Sequence, residues 1–143
     1  MSYVFPSDEW VASFKQRINE GAYKESGATW EAGSLCCVIK ANPDIGLTED
    51  KFILLDLYRG ECRDARLVDA TEAASASFTI TAAYDRWKQL FRGELDPVKA
   101  MMFGQINIKG NLGVLMKYTK AAKDLLECGG QVPSTFLGER TSE

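Results

Sequence analysis

The spacing of the apolar residues changes repeatedly along this chain, between the period of a helix and the period of a strand. Near the N-terminus Ser7 can cap a helix, and apolar residues then follow at helical spacing. These residues are Trp10, Val11, Phe14 and Ile18. We predict a first helix that runs to about Asn19. A helix with a single apolar stripe must bury that stripe against another element.

Strand patterns follow this helix. The range 29–40 is rich in apolar and β-branched residues, and the range 51–58 is apolar at both parities, as in an interior strand that is covered on both faces. Residues 42–46 supply turn chemistry between them, so we predict a hairpin. The shorter and more charged range 63–68 is typical of an edge strand. We expect these three strands to form an antiparallel meander.

Two more strands are predicted further along the chain, over 76–81 and 105–109, where apolar and polar residues alternate. A pair of short helices lies between them. Gly93 can end the first of these helices, and Asp96 followed by Pro97 is a cap and first position for the second. The pattern therefore changes from strand to helix and back within this part of the chain.

A final helix is predicted to begin at Asn111 and to be stopped by Gly129 and Gly130. We place a single domain at residues 1–130, followed by a polar C-terminal tail over 131–143. The order of the elements predicts an α+β domain in which helices lie against a sheet of about five strands.

Composition excludes several classes of function. The formal net charge is −3 and no basic cluster occurs along the chain, so nothing favours binding to nucleic acid. No apolar run approaches the ~20 residues that cross a bilayer. The N-terminus lacks the basic start and apolar middle of a secretory signal. We therefore expect a cytoplasmic protein without stable membrane insertion.

The sequence contains no histidine, which removes the usual general base and every Ser-His or Cys-His nucleophile. The cysteines show no CxxC spacing. We expect Cys36 and Cys37 on opposite faces of a strand, with Cys62 and Cys128 standing alone, and we interpret all of them as buried structural residues. These patterns predict no catalytic residue, no metal site and no cofactor.

Residues 84–118 carry several motifs in a specific order. An aromatic-rich helix is followed by Gly-Glu-Leu-Asp-Pro at 93–97, and a short helix then leads to Gly-Gln-Ile-Asn-Ile-Lys-Gly-Asn at 104–111, before the closing helix. This order resembles the sterol carrier protein type-two (SCP-2) family. The resemblance is strongest over 78–126, and the predicted order of elements agrees back to Ser7.

The resemblance implies a five-stranded, mostly antiparallel twisted sheet covered on one face by about four to five helices, with an apolar tunnel between them. It implies non-catalytic binding and transfer of a lipid in that tunnel, the ligands being fatty acid, fatty acyl-CoA, phospholipid or sterol. Related domains also occur fused to enzymes as accessory modules. The chain ends Thr141-Ser142-Glu143, without the peroxisomal tripeptide of some members.

Methionine and aromatic residues are concentrated in the two short helices and the last helix, and flexible methionine suits surfaces that adapt to varied apolar ligands. We predict a lining for the cavity on this basis. Its residues are Phe78, Ile80, Trp87, Leu90, Phe91, Met101, Met102, Ile106, Leu112, Leu115 and Met116. Lys109, Lys117 and Lys120 flank the closing helix and could meet a head group, but solvated surface lysine is the commoner role and they are not assigned to the site.

Two other functions remain open at this stage. One is an interaction or accessory module of the same fold, with a filled cavity, no lipid cargo, and an exposed face that binds an enzyme or forms a homodimer. The other is an enzyme that acts on an apolar substrate through a carboxylate or tyrosine, with Asp56, Tyr58 and Tyr84 as candidates. A well-packed interior would favour the module, and a buried carboxylate at the cavity wall would favour the enzyme.

Overall fold

A computed structural model describes residues 2–138 and shows an α+β domain. The strands are β1 (Tyr3–Phe5), β2 (Leu35–Lys40), β3 (Lys51–Tyr58), β4 (Glu61–Val68), β5 (Phe78–Ala83), β6 (Asn107–Lys109) and β7 (Ser134–Phe136). The helices are α1 (Asp8–Glu20), α2 (Tyr23–Ser26), α3 (Ala70–Ala73), α4 (Tyr84–Phe91), α5 (Pro97–Met102), α6 (Leu112–Met116) and α7 (Thr119–Gln131). The turn between β2 and β3 contains a short 3-10 helix, Pro43–Ile45.

Five of the strands form one mixed sheet in the order β4-β3-β2-β5-β6. β2, β3 and β4 pair in antiparallel fashion, which confirms the predicted meander. β2 and β5 pair in parallel, because the chain returns past the meander through α3 before it enters β5. β6 pairs antiparallel with β5 at the edge of the sheet.

The main hydrophobic core lies between one face of this sheet and helices α1, α4 and α7. The N-terminus of α1 is capped as expected, since the Trp10 N–H donates to Ser7 Oγ at 3.2 Å. The opposite face carries a smaller cluster in which Ala73 of α3 covers Cys36 and Val38 of β2. The helices thus cover chiefly one face, and α3 adds a small cover to the other because β2 is apolar on both faces.

The C-terminal part of the described chain packs against its beginning. β1 and β7 form a two-stranded parallel sheet, and Trp10 Nε1 donates to Ser134 Oγ at 2.8 Å. Residues 131–138 of the predicted polar tail are therefore part of the packed domain, because Phe136 supplies an apolar side chain that the core buries. Residues 139–143 of that tail lie outside the described residues.

The predicted strand over 29–40 begins only at Leu35. Gly33 has a left-handed backbone, with φ of 114°, which ends any extended run that precedes it. Trp30 is nevertheless buried, and its Nε1 donates to the Gly33 carbonyl at 2.9 Å. The apolar residues before Leu35 therefore belong to a packed loop, and the strand pattern alone predicted too long an element.

The predicted final helix is two helices, since Tyr118 separates α6 from α7. Gly129 and Gly130 do not stop α7, which continues to Gln131. A Cβ atom at Gly130 would lie 2.2 Å from the carbonyl oxygen of Phe91. The glycines are needed for the close approach of α7 to α4, and the prediction that they terminate the helix was wrong.

Candidate functional site

An apolar cavity of about 80 Å³ lies between the inner face of the sheet and the helices. Its sheet wall contains Leu35 and Cys37 of β2, Leu57 of β3 and Ile80 of β5. Side chains alternate between the two faces of a strand, so these residues share the inner face while their neighbours point the other way. The set of residues in the sheet wall is thus fixed by strand periodicity.

The helix wall of the cavity comes mainly from α4 and α7. Trp87, Leu90 and Phe91 of α4 line it, and Ala121 and Leu125 of α7 close it from the other side. In each helix these residues fall on one stripe at the helical period. The two stripes meet because α7 crosses close to α4.

The polar atoms of three lining aromatic residues, Trp30, Trp87 and Tyr118, are bonded to backbone carbonyls. Trp87 Nε1 donates to the Val38 carbonyl at 2.9 Å, and the Tyr118 hydroxyl donates to the Thr29 carbonyl at 3.0 Å. Trp30 Nε1 is bonded in the same way within its own loop. These side chains therefore present ring carbon to the cavity, and the space suits a hydrocarbon group.

An open groove of about 790 Å³ lies beside the cavity, between the α4–α5 connection and α7. The groove and the cavity share Leu90, Phe91, Pro97 and Leu126 in their linings. A layer of apolar side chains therefore separates the cavity from the open groove.

Charged side chains cross this groove. Lys123 Nζ lies 4.0 Å from Asp96 Oδ2, and both side chains are partly exposed to solvent. Lys99 also lines the groove. An exposed ion pair of this length stabilises a structure by no more than about 1 kcal/mol. The pair is therefore a weak link between the α5 end of the groove and α7.

The structure brings part of the predicted lining together at the cavity. These residues are Ile80, Trp87, Leu90, Phe91, Ile106 and Leu115. All of them belong to the main hydrophobic core or pack against it.

The other predicted residues lie elsewhere. Phe78 is buried in the core, with its ring centroid 5.2 Å from that of Trp30, and Met101 is half-buried against the core. Met102, Leu112 and Met116 are exposed. The short helices α5 and α6 each turn one stripe inward, so an apolar residue outside that stripe faces solvent even though its composition suggests a core position.

Several cavity residues come from parts of the chain that the sequence analysis did not assign to the site. Phe14 of α1, Tyr23 of α2 and Trp30 of the following loop line it, as do Ala121 and Leu125 of α7. Helical periodicity marks Phe14 and Leu125 as inward-facing. It carries no information about which other elements they meet, so their convergence on one cavity was not predictable.

The candidate residues for an enzyme do not converge on the cavity. Asp56 accepts from Arg63 at 2.9 Å, and Tyr58 is 38% exposed. Neither lines the cavity. The Tyr84 hydroxyl donates to the Phe5 carbonyl, which ties α4 to β1. These side chains therefore have structural partners away from the apolar space.

The buried titratable groups at the cavity hold their protons. Burial raises the pKa of the Cys37 thiol and of the Tyr23 hydroxyl well above their ordinary values. The buried carboxylate found among residues 2–138 is Asp124, which accepts from Lys120 Nζ at 3.0 Å and is not part of the cavity lining. Within the same residues, no group of three or more His, Cys, Asp or Glu side chains is placed to hold a metal ion.

None of the helices in the described range is both long enough and apolar enough to span a bilayer.

The comparison with protein families gives one decisive result. The model of a family described as the SCP-2 sterol transfer family matches residues 13–123. The chain belongs to the SCP-2 sterol transfer family. This result confirms the resemblance drawn from the motifs at 93–97 and 104–111.

Solved SCP-2 structures share the fold. A crystal structure of sterol carrier protein 2 is 32% identical, covers 88% of this chain and 97% of its own, and has a TM-score of 0.80. A conserved hypothetical protein from Thermus thermophilus is 31% identical, with 94% of each chain covered and a TM-score of 0.81. The predicted α+β fold with a five-stranded, mostly antiparallel sheet is confirmed.

A more distant SCP-2 structure shows the fold alone. The palmitated SCP2L2 of Aedes aegypti is 17% identical, covers 77% of this chain and 91% of its own, and has a TM-score of 0.51. A comparison with curated protein sequences finds no significant match. Family membership and fold together support binding and transfer of a lipid or sterol as the general function.

Proposed function

We propose that this chain is a cytoplasmic, non-catalytic carrier that holds the hydrocarbon part of a lipid in the apolar cavity, with a fatty acid or fatty acyl group as its cargo. Phospholipid and sterol are the alternative cargoes. The observation that carries the proposal is an apolar cavity in which Trp87 and Tyr118 turn their polar atoms to backbone carbonyls. The palmitated Aedes aegypti protein has the same fold, which makes a fatty acid the first cargo to test.

The cavity must enlarge before it can hold a long chain. At about 80 Å³ it is well below the roughly 300–1,000 Å³ of pockets that bind drug-sized ligands. The adjoining groove is much larger, and only the shared apolar side chains separate the two spaces. Displacement of Leu126 and Pro97 would join them into one space of sufficient size.

The elements beside the groove are suited to such an opening. Gly93 in the α4–α5 connection has φ of 72° and open space around its Cα, and α5 is a short helix that begins at Pro97. The link across the groove is the exposed pair of Lys123 with Asp96. The sheet wall, in contrast, is held by paired strands. We therefore place the movement at α5 and its connection to α4.

Lysines and acidic side chains both line the groove, the acidic ones being Glu94, Asp96 and Glu127, so an acidic head group is suited only where it meets the lysines. With the hydrocarbon in the cavity, a carboxylate at the opening would lie near Lys99 and Lys123, which line the groove. An ammonium group can act as a donor and positive partner for a carboxylate. This arrangement would favour fatty acids over neutral sterols.

The energetics agree with a reversible carrier. Burial of about sixteen carbons at ~0.8 kcal/mol each gives on the order of 12 kcal/mol. Association and ordering cost roughly 4–15 kcal/mol, and enlargement of the cavity adds to that cost. We expect micromolar binding with loose selectivity, which allows the lipid to leave again.

Uptake of a fluorescent fatty acid by the purified chain tests the proposal. We expect saturable uptake that unlabelled palmitate displaces. Leu115→Glu should weaken binding by at least about tenfold, because it would bring a charge to the apolar cavity, where a charge without a partner is strongly disfavoured. The matched control is Met116→Glu in the same helix, since Met116 is 46% exposed and does not line the cavity.

Circular dichroism should show that both variants keep the native fold, because Leu115 is only half-buried. Equal uptake by the two variants would contradict binding in this cavity. Failure of the folded native chain to take up any acyl ligand, together with a native mass spectrum free of lipid, would contradict the carrier function itself.

The small volume of the cavity favours one second candidate, an SCP-2-fold accessory module without a lipid cargo. A module of this kind keeps the fold for its outer surfaces alone. Native mass spectrometry separates the candidates, because a carrier is expected to co-purify with lipid or accept it on addition, whereas the module remains empty under both conditions.

A further inference from the structure

Two short helices leave large apolar side chains in solvent. Met102 and Phe103, at the end of α5, are 73% and 76% exposed, and Leu112 and Met116 of α6 are 43% and 46% exposed. The apolar stripe of α1, in contrast, is buried in the core. Clusters of exposed apolar residues mark interaction surfaces or aggregation-prone surfaces.

The two helices belong to one wall of the cavity. Pro97 of α5, Ile108 of β6 and Leu115 of α6 all line the cavity from the side of the sheet edge. We call residues 97–118 the α5–α6 wall. Because its inner side chains face the cavity, the exposed side chains of α5 and α6 are on the outer side of this wall.

The α5–α6 wall also differs in charge from the rest of the molecule. Residues 97–118 contain three lysines and no aspartate or glutamate, although the whole chain has a net charge of −3. Lys99, Lys109 and Lys117 are exposed, and within residues 2–138 none of them forms an ion pair. The outer side of the wall is therefore both apolar and positively charged.

We propose that the α5–α6 wall docks the protein on an anionic lipid membrane. Aromatic and methionine side chains at the end of α5 enter the interfacial region, while the surrounding lysines meet the negatively charged head groups. A second copy of the chain is a poorer partner for this surface, because a two-fold contact would bring the lysines of one wall against the same lysines of the other.

The docking surface is continuous with the groove beside the cavity. Lys99 and Phe103 belong to the α5 part of both the groove and the exposed surface. Docking would therefore hold the groove against the lipid, at the place where the cavity is separated from solvent by a layer of side chains. This last step rests on the proposed function, whereas docking itself does not.

Co-sedimentation of the full chain with phosphatidylcholine vesicles, with and without phosphatidylserine, tests the proposal. We expect binding that requires phosphatidylserine and weakens as salt is added, because salt screens exposed charges. The double variant Met102→Ser and Phe103→Ser should reduce partitioning by at least about tenfold, since it removes two exposed apolar groups. The matched control is Val4→Ser, since Val4 of β1 is 45% exposed.

The charge contribution has its own matched pair. Lys99→Gln and Lys117→Gln should each reduce partitioning by about fivefold, the usual effect of one lysine near an anionic surface. Lys24→Gln is the control, because Lys24 is an exposed lysine of α2 that lies outside the wall. Equal sedimentation of the native chain, the wall variants and the controls would overturn the proposal.

Two further measurements separate the alternatives. Sedimentation velocity that shows a dimer in the native chain and a monomer in the double variant would assign the surface to a second copy, and would overturn docking on lipid. Fatty acid uptake without vesicles should be the same in the single variant Met102→Ser and the native chain, because Met102 lines neither the cavity nor the groove. Loss of uptake in every protein, with vesicle binding retained, would contradict the carrier function and leave docking supported.

Discussion

At the scale of single residues, Gly130 shows how a packing requirement can outweigh a local preference. Glycine in the interior of a helix costs about 1 kcal/mol relative to alanine, and yet Gly129 and Gly130 both lie inside α7. A Cβ at Gly130 would meet the backbone oxygen of Phe91 at 2.2 Å, and one at Gly129 would meet the ring of Phe91 at 2.5 Å. The two glycines are needed because they let the backbone of α7 pack closely against α4.

Gly130→Ala is therefore expected to destabilise the protein, although alanine favours the helix. The backbone of Phe91 cannot move aside as a flexible side chain would, so we expect a loss of about 2 kcal/mol in the free energy of unfolding. Gly113→Ala in α6 is the control, because its Cβ would meet only the Asn111 Oδ1 atom, at 3.2 Å. Urea unfolding of both variants measures the effect, and a higher midpoint for Gly130→Ala would contradict it.

At the scale of elements, β2 is buried on both faces. Cys37 faces the cavity and Cys36 faces the small cluster below α3, as the alternation of side chains in a strand requires. All four cysteines are free and buried. Burial raises the pKa of the Cys36 thiol to about 11 and that of Cys62 to about 12, so the thiols stay protonated in neutral solution.

These thiols predict a specific loss of stability at alkaline pH. The folded state keeps their protons to a higher pH than the unfolded state, in which an ordinary thiol ionises near pH 9. Their contribution is therefore fully present below about pH 9 and is lost as the pH rises towards the raised values. Urea unfolding across this range measures the free energy of unfolding at each pH.

A variant with Cys36→Ala and Cys37→Ala supplies the comparison. We expect it to be less stable at neutral pH, since it leaves small cavities, but to lose stability less steeply above pH 9. Cys62 and Cys128 are present in both proteins and form a common background. Parallel curves for the two proteins would show that the β2 thiols do not cause the alkaline loss.

At the scale of the whole molecule, the packing of β7 beside β1 joins the two ends of the described chain. Phe136 packs with its ring centroid 5.8 Å from that of Phe5, which is fully buried. The Leu137 N–H donates to the Tyr84 hydroxyl at 2.9 Å, so the same segment also holds α4. A short segment of the predicted polar tail thus contributes to the core.

Truncation after Gln131 should therefore destabilise the protein. It removes two buried apolar side chains, Val132 and Phe136, together with the pairing of β7 with β1, and we expect a loss of at least roughly 4 kcal/mol, a large part of the stability of a domain this size. Truncation after Gly138 is the matched control, and the difference between the two melting temperatures measures the contribution of residues 132–138. If the shorter chain melts with the longer one, residues 132–138 do not contribute to the core.

Prediction from sequence succeeded where a local pattern also determined which part of the chain would lie beside an element. The meander of β2, β3 and β4 followed from strand patterns joined by short turns, and the cap at Ser7 followed from side-chain chemistry. Prediction failed where a residue was assigned to the cavity by its type and not by its position on the helix. Met102 has the composition of a cavity residue, but it lies outside the inward stripe of α5 and is exposed.

The amino-acid sequence by itself determined the order of α1, the five strands of the large sheet and the helices α4 and α5, the inward stripes of α1 and α4, and the SCP-2 family, because periodicity, caps and ordered motifs are local properties. Only the tertiary structure decided the parallel pairing of β2 with β5, the packing of residues 134–136 into the domain, and the size and lining of the cavity. These features depend on contacts between residues far apart in the chain, and no local pattern specifies which distant surfaces will meet.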